Sequence, residues 1–418
     1  MALDMISFDA ALKQHYTDER VQNMVYQDQP FLAMVPKYEK FGGRNLPIPV
    51  IFGNPQGRSA TFSRAQTRGA VTNTRIDEFL ITRVKDYSIA TIDNETIEAS
   101  KGDANAFLEA ATTEIDGAIH VLKRSLGVKL YGTGFGGIGV LNGGSVAGTT
   151  LTLATVEDIT NFEVGMELTA AAAETTGATR AYGSSGNGLI VTAVNRRTGV
   201  LTFGFAANDA TNGIPTIGTT DVLFVRGDRQ EGASPVAICI SGLRAWVPTA
   251  DPAATAFFGV DRTLDSTRLS GIRFDASAMP IEEGLIEGAS LGAREGGTPD
   301  HFFMSFSKYA DLEKALGSKV QYVDMKVGEI GFRGIAVNGP KGIIKCIPDV
   351  NCPNRYGFML DMSTWKLYSL GKVPRVLDTD GLQMLRQASA DGVEVRYGGY
   401  LQLGCRAPGY NTLIDLGV

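Results

Sequence analysis

From about Ala104 to Leu130 the apolar residues Leu108, Ala111, Ile115, Ala118, Ile119, Leu122 and Leu126 recur at three- and four-residue steps. That spacing puts them on one face of an α-helix, and Asp103 stands where a capping residue belongs. At 1.5 Å per residue the helix is about 40 Å long. A rod of that length serves as the spine of an elongated domain, and the rest of the chain is read as packing along it.

The texture changes after the helix. Residues 132–148 are rich in glycine, and residues 149–229 contain no lysine. Thr150–Thr155, Met166–Thr169, Leu189–Val194, Val200–Phe203 and Val222–Val225 alternate with period two and are rich in Thr, Val and Leu, which predicts strands. Asn195–Gly199 is read as a hairpin loop and Ala170–Gly188 as a mobile surface loop. Together these describe a small all-β module of barrel type at residues 133–234, inserted into a host.

Residues 1–40 read as an arm. Thr17 can cap a short helix with Val21, Met24 and Val25 on one face, and Pro30 and Pro36 then break the pattern. Residues 41–100 alternate strands and turns. Leu46–Phe52 is an extended segment that Pro47 and Pro49 confine to a sheet edge. A polar tip follows over Gly53–Asn73, and the chain returns through Phe79–Ile81 and Tyr87–Ile92. An isolated two-stranded ribbon is marginal in water, so a long hairpin here is expected to lie across a neighbouring subunit. Between its ends stand five arginines (Arg44, Arg58, Arg64, Arg68 and Arg75) and no acidic residue. A solvated face and an intersubunit contact both fit that pattern.

Beyond the module, Pro280 opens a helix to about Glu295, which Gly296 and Gly297 close. Glu282 and Glu283 complement its dipole. His301–Ser305 reads as a strand, Ser307–Leu316 as a helix stopped by Gly317. Gly342–Ile347, Tyr356–Leu360, Trp365–Ser369 and the long Val393–Leu403 read as further strands. The host is α+β, with helices packed on sheets.

Composition excludes several functions. A net charge of −6 does not suit a protein that grips nucleic acid by neutralising phosphates. Met1–Tyr16 carries Asp4, Asp9 and Lys13, which breaks up any apolar core of signal-peptide length. No stretch approaches a membrane span. The expectation is a soluble protein made in a cytoplasm. Cys239, Cys346, Cys352 and Cys405 fit no zinc spacing and no disulfide framework, and are expected to be buried thiols. His15, His120 and His301 are scattered, so no metal site and no cofactor are expected. Glycine, at 50 of 418 residues, marks an irregular, loop-rich chain.

Three further patterns have bland readings. Gly132–Gly137 spells GxGxxG, but it leaves a helix and opens a β module, whereas a dinucleotide site leaves a strand and opens a helix; it is a linker. Arg226-Gly227-Asp228 is the tripeptide that integrins bind, and is read here as a turn with a local Arg–Asp pair. Trp246 and Trp365 stand among aliphatic residues and are assigned to the core. No serine elbow, phosphate loop or paired-carboxylate site can be assembled, so the chain is read as a non-enzyme.

The order of parts resembles the major capsid proteins of tailed double-stranded DNA bacteriophages. Pro340–Gly371 (PKGIIKCIPDVNCPNRYGFMLDMSTWKLYSLG) is similar to that family's late axial-domain strands. Gly392–Gly417 (GVEVRYGGYLQLGCRAPGYNTLIDLG) is similar to its closing strands, and Phe41–Val50 (FGGRNLPIPV) to the start of its extended loop. The resemblance implies the following division: arm at 1–40, extended loop and peripheral-domain strands at 41–100, spine helix at 101–132, inserted β domain at 133–234, axial domain at 235–372 and return strands at 373–418. It implies a subunit that forms hexamers and pentamers of an icosahedral head around double-stranded DNA, in a virion assembled in the host bacterial cytoplasm. A scaffolding protein, a portal and a decoration protein are the implied partners, and no membrane is. Some members form an isopeptide bond from a loop lysine; here the loop tip carries arginines and no lysine. An encapsulin-like nanocompartment shell is the alternative within the fold, and a β-rich surface adhesin the alternative outside it.

Overall fold

The computed structural model describes residues 29–95, 104–232, 234–316, 322–327, 330–377, 385–387 and 390–417. The helix around Thr17, the cap at Asp103, the stop at Gly317 and the side chains of Leu108 and Ala111 lie outside the described residues. The described residues begin with α1 (Pro30–Met34), β1 (Lys37–Tyr38), β2 (Asn45–Gly53), α2 (Phe62–Gly69), β3 (Arg75–Thr82) and β4 (Val84–Asp93). The long helix α3 (Ala104–Tyr131) follows. Ala118, Leu122, Leu126 and Leu130 are buried at four-residue steps along it, the face that its periodicity predicts.

Six strands come next: β5 (Gly137–Val140), β6 (Thr150–Thr152), β7 (Glu167–Ala171), β8 (Leu189–Asn195), β9 (Val200–Phe203) and β10 (Val222–Val225). Their order is β5-β10-β7-β8-β9-β6. A bridge between Leu141 and Leu153 links the two ends, with Ala154 N donating to Val140 O at 2.7 Å and Asn142 N to Thr152 O at 3.1 Å. The sheet therefore closes into a ring. Phe162, Leu168, Leu189, Leu201 and Leu223 fill it as an apolar cluster of their own. The 170–188 segment departs from the expectation of a mobile loop. Its first two residues belong to β7, and Arg229 donates to the carbonyls of Thr176 and Gly177 at 3.0 and 2.8 Å. Arg180 makes a two-pronged pair with Asp221 at 2.7 and 2.8 Å. Two arginines thus fasten a loop that has little apolar surface to bury.

The remaining strands are β11 (Ile272–Asp275), β12 (His301–Met304), β13 (Tyr322–Val327), β14 (Ile330–Gly339), β15 (Gly342–Pro348), β16 (Tyr356–Leu360), β17 (Trp365–Ser369), β18 (Arg375–Val376), β19 (Leu385–Arg386), β20 (Gly392–Cys405) and β21 (Thr412–Asp415). With them come α4 (Leu243–Trp246), α5 (Ile281–Arg294) and α6 (Phe306–Leu316). One mixed sheet runs β11-β21-β16-β12-β15-β14-β13. In the other, the long strand β20 pairs with β17 at one end and with β4 along the rest, and β18 and β19 also pair with it. β1 lies parallel to β17. Helices on mixed sheets make the host α+β.

Two aromatic groups within one buried core join these parts. Trp246 and Trp365 are fully buried with ring centroids 6.4 Å apart. Their indole N–H groups donate to Leu403 O at 3.1 Å and Asn411 Oδ1 at 2.8 Å, which removes the cost of burying them. Phe31 of α1 packs edge-on to Phe303 at 5.2 Å and against Tyr131 at 5.5 Å. Residues 29–40 are therefore anchored in the subunit's own core. All four cysteines are free and buried.

Candidate intersubunit surface

The β2–β3 hairpin divides along its length. At its base Ile48, Val50, Phe79 and Ile81 point into the main core. Pro47 and Pro49 alternate outward, facing Leu80 and Glu78 across the ladder. Neither proline has an N–H, and the pair forms a separate two-stranded sheet, as expected for an edge. Past Val50 the hairpin loses its core: no residue from 51 to 78 is buried. Within that span Phe62 is 81% exposed, Val71 70%, Ile51 63% and Ile76 62%. Ile51 and Ile76 face each other across the strands.

The tip is more ordered than a polar loop. Residues Phe62–Gly69 form α2, which buries nothing and has no side-chain cap. A helix this short is unstable without tertiary packing. What holds it is a close crossing: a Cβ on Gly57 would lie 2.9 Å from the Gly69 Cα, so backbone passes against backbone there. On α2 Arg64 and Arg68 stand one turn apart on a single stripe, Phe62 projects from the other side of the helix, and Ala65 lies between them.

The five arginines are all exposed, and none forms an ion pair with another described residue. They do not make one patch. Arg58, Arg64, Arg68 and Arg75 belong to the tip or its neck. Arg44 precedes β2 at the opposite end, roughly 25–30 Å away along the strand, beside Arg83, Lys85 and Tyr400 around a cavity of about 420 Å³. What the sequence did not reveal is the apolar company of the tip arginines; the alternation of Phe62, Ala65 and Gly69 with Arg64 and Arg68 at helical spacing was the available signal.

A second polar constellation lies where the six-stranded ring meets the host. Chain running in and out of the ring passes side by side: Cys239 N donates to Gly134 O at 3.1 Å, and a Cβ on Gly136 would sit 2.7 Å from Asp228 O. The GxGxxG run is thus a linker whose Gly134 and Gly136 adopt positive φ. The turn at Arg226–Asp228 lacks the expected internal pair. Arg226 goes to Glu167 and Asp228 to Lys129 of α3, because the turn at Gly227 sends the two side chains to opposite partners. Lys129 also meets Asp86 at 3.2 Å. Across the junction Arg124 donates to Thr160 O, and Thr133 Oγ1 to Glu174 at 2.7 Å. A cavity of about 630 Å³ borders this seam on the Lys129 side, and one of about 220 Å³ on the side of Asp158 and Arg244. Burial pushes the Asp158 carboxyl up to about 6 against the opposing pull of Arg244, with Glu157 adding to the rise. Among the described residues no cluster of three His, Cys, Asp or Glu side chains gathers in metal-binding array, and no helix is long and apolar enough to cross a membrane.

No protein-family model matches the chain, and no curated protein sequence does. Solved structures do. A chain of the cyanophage A-1(L) capsid asymmetric unit superposes with a TM-score of 0.51 at 12% identity, over 98% of both chains. The holo-SrpI encapsulin complex of Synechococcus elongatus PCC 7942 gives 0.46 at 8% identity, over 100% of this chain and 96% of that one. The capsid of a native GTA particle gives 0.45 at 9%, over 99% and 98%. The first of these shows the fold: over 98% of its length, this chain has the fold of that phage capsid chain.

Proposed function

We propose that this chain, built on a phage capsid fold, is the major capsid protein of a tailed double-stranded DNA bacteriophage. Its subunits form hexamers and pentamers of an icosahedral head. The observation that carries the reading is the hairpin tip at residues 51–78, which holds an ordered helix, four exposed apolar side chains and four arginines that form no ion pair among the described residues, without one buried residue. Beyond Phe52 at its neck, such a tip packs against no apolar core in its own subunit. Laid across a neighbour it gains one. Each such contact is weak alone, and several made at once around a ring multiply in effect.

In the same reading the head encloses double-stranded DNA without sequence preference, and a scaffolding protein, a portal and a decoration protein are the partners during and after assembly. The ring of β5 to β10, with its own core and its adjacent incoming and outgoing strands, is an inserted domain at about 133–234. It is placed outside the shell, because inside it would occupy packaging volume. Residues 235–372 form the axial domain.

The test is light scattering and negative-stain microscopy of the purified full chain, alone and co-expressed with a scaffolding protein. Rings and closed shells are expected. A monodisperse monomer under every condition overturns the reading. Shells that carry an enzyme cargo and no nucleic acid in the infected cell would point to a nanocompartment instead.

A further inference from the structure

The outer face of α5 is a second surface without a partner. Its inner face is flush with the sheet: Gly284, Gly288 and Gly292 are buried, and a Cβ on Gly288 would lie 2.4 Å from the Ile414 side chain. With that face fixed, Glu283, Ile286, Glu287 and Ser290 form a single exposed stripe at three- and four-residue steps. Ile286 is 49% exposed, and Met279, just before the helix, 42%. Neither Glu283 nor Glu287 forms an ion pair among the described residues. The one cation on the stripe, Arg294, is already engaged by Glu295 at 3.3 Å. The stripe therefore presents two carboxylates one turn apart with apolar side chains beside them.

That is the complement of α2. There Arg64 and Arg68 are one turn apart, with Val71 exposed one turn past Arg68. Both pairs have the same i, i+4 spacing, and each charge on one stripe has an opposite charge on the other.

We propose that the tip helix α2 of one subunit docks on the Glu283–Glu287 stripe of α5 on a second copy of this chain. Arg64 and Arg68 pair there with Glu283 and Glu287, and Val71, one turn past Arg68, packs against Ile286 and Met279. The proposal rests on the assembly reading above and names the receptor that the tip uses. A protein of another kind on the α5 stripe is the competing occupant.

The experiment is a charge-swap cycle in the full chain, read as the protein concentration at which shells or rings appear. Arg64→Glu with Arg68→Glu, and separately Glu283→Arg with Glu287→Arg, should each raise that threshold by about tenfold or more, because like charges then face each other. The four-site variant should return to within about twofold of the wild type. Mixing the two reversed variants should also restore assembly, since each supplies the other's complement. The softer Glu283→Gln with Glu287→Gln should raise the threshold less, and serves if a reversed variant fails to fold by circular dichroism. Tip reversal that impairs assembly while α5 reversal or neutralisation does not, or a four-site variant that stays impaired, overturns the docking site and leaves the assembly reading standing. A wild type that never assembles overturns both.

Discussion

The ammonium of Lys129 lies 3.1 Å from the carboxylate of Asp228, which ties the last turn of α3 to the strand leaving the six-stranded ring. Asp86 of β4 meets the same nitrogen, so one lysine joins three segments. Burial opposes its charge, but Cys239, Asp228 and Asp86 outweigh burial and hold its pKa above that of an ordinary lysine. Lys129→Met leaves two carboxylates facing each other without a cation. It should cost about 3 kcal/mol in urea titrations, and a loss below about 1 kcal/mol would mean that the seam is held elsewhere.

Asp158 makes the seam sensitive to pH. Its carboxyl is raised from 3.8 to about 6 in the folded protein, so the folded state binds the proton more tightly than the unfolded one. The resulting stability is fully present below about pH 4 and is lost as pH rises through 6. Asp158→Asn should therefore stabilise the protein at pH 7, by about 1–2 kcal/mol, and flatten its stability profile between pH 4 and 6. Parallel wild-type and variant profiles across that range would contradict this.

The tip separates assembly from folding. Gly57→Val forces a branched side chain into the Gly69 crossing and should displace α2. Because no residue from 53 to 78 is buried or packs against the main core, the melting temperature should move by no more than about 2 °C, while shell formation falls sharply. Normal shells from this variant would mean that the tip's shape is irrelevant.

Much of this architecture was legible in the sequence where periodicity was strong. α3, β9, β10, β16 and β17 lie within a residue or so of their expected bounds, because each is a clean apolar repeat. β5 does not stand out from the glycine-rich stretch 132–148: Gly-Ile-Gly-Val offers too little bulk to show alternation, and it becomes a strand only by pairing with β10. The edge strand β11 is likewise defined by a partner distant in sequence. The site was half legible. A basic, acid-free hairpin was visible in the residues. The helix inside it was not, because it lacks a capping side chain and closes through two glycines. Arg44 shares an acid-free run with the tip arginines in the sequence, although a full strand length separates it from them.

The ring of β5 to β10 should fold alone. Its apolar cluster is its own, and residues 133–234 expressed in isolation should give a cooperative melt with strand-type circular dichroism. A short Gly/Ser linker in their place should leave a folded host. An unfolded fragment together with an aggregating host would make the ring part of the host core.

Assembled particles should carry no covalent links through the tip, since residues 53–73 contain no lysine to form an isopeptide. Boiled in detergent, they should run as single 44.6 kDa chains; a ladder of multimers would contradict this.

The most direct measurement is an electron cryomicroscopy reconstruction of particles assembled from the full chain. It should show an icosahedral shell in which residues 51–78 of each subunit are covered by an adjacent copy. A protein that remains a 44.6 kDa monomer, or a shell whose hairpin tips stand free in solvent, would contradict the account.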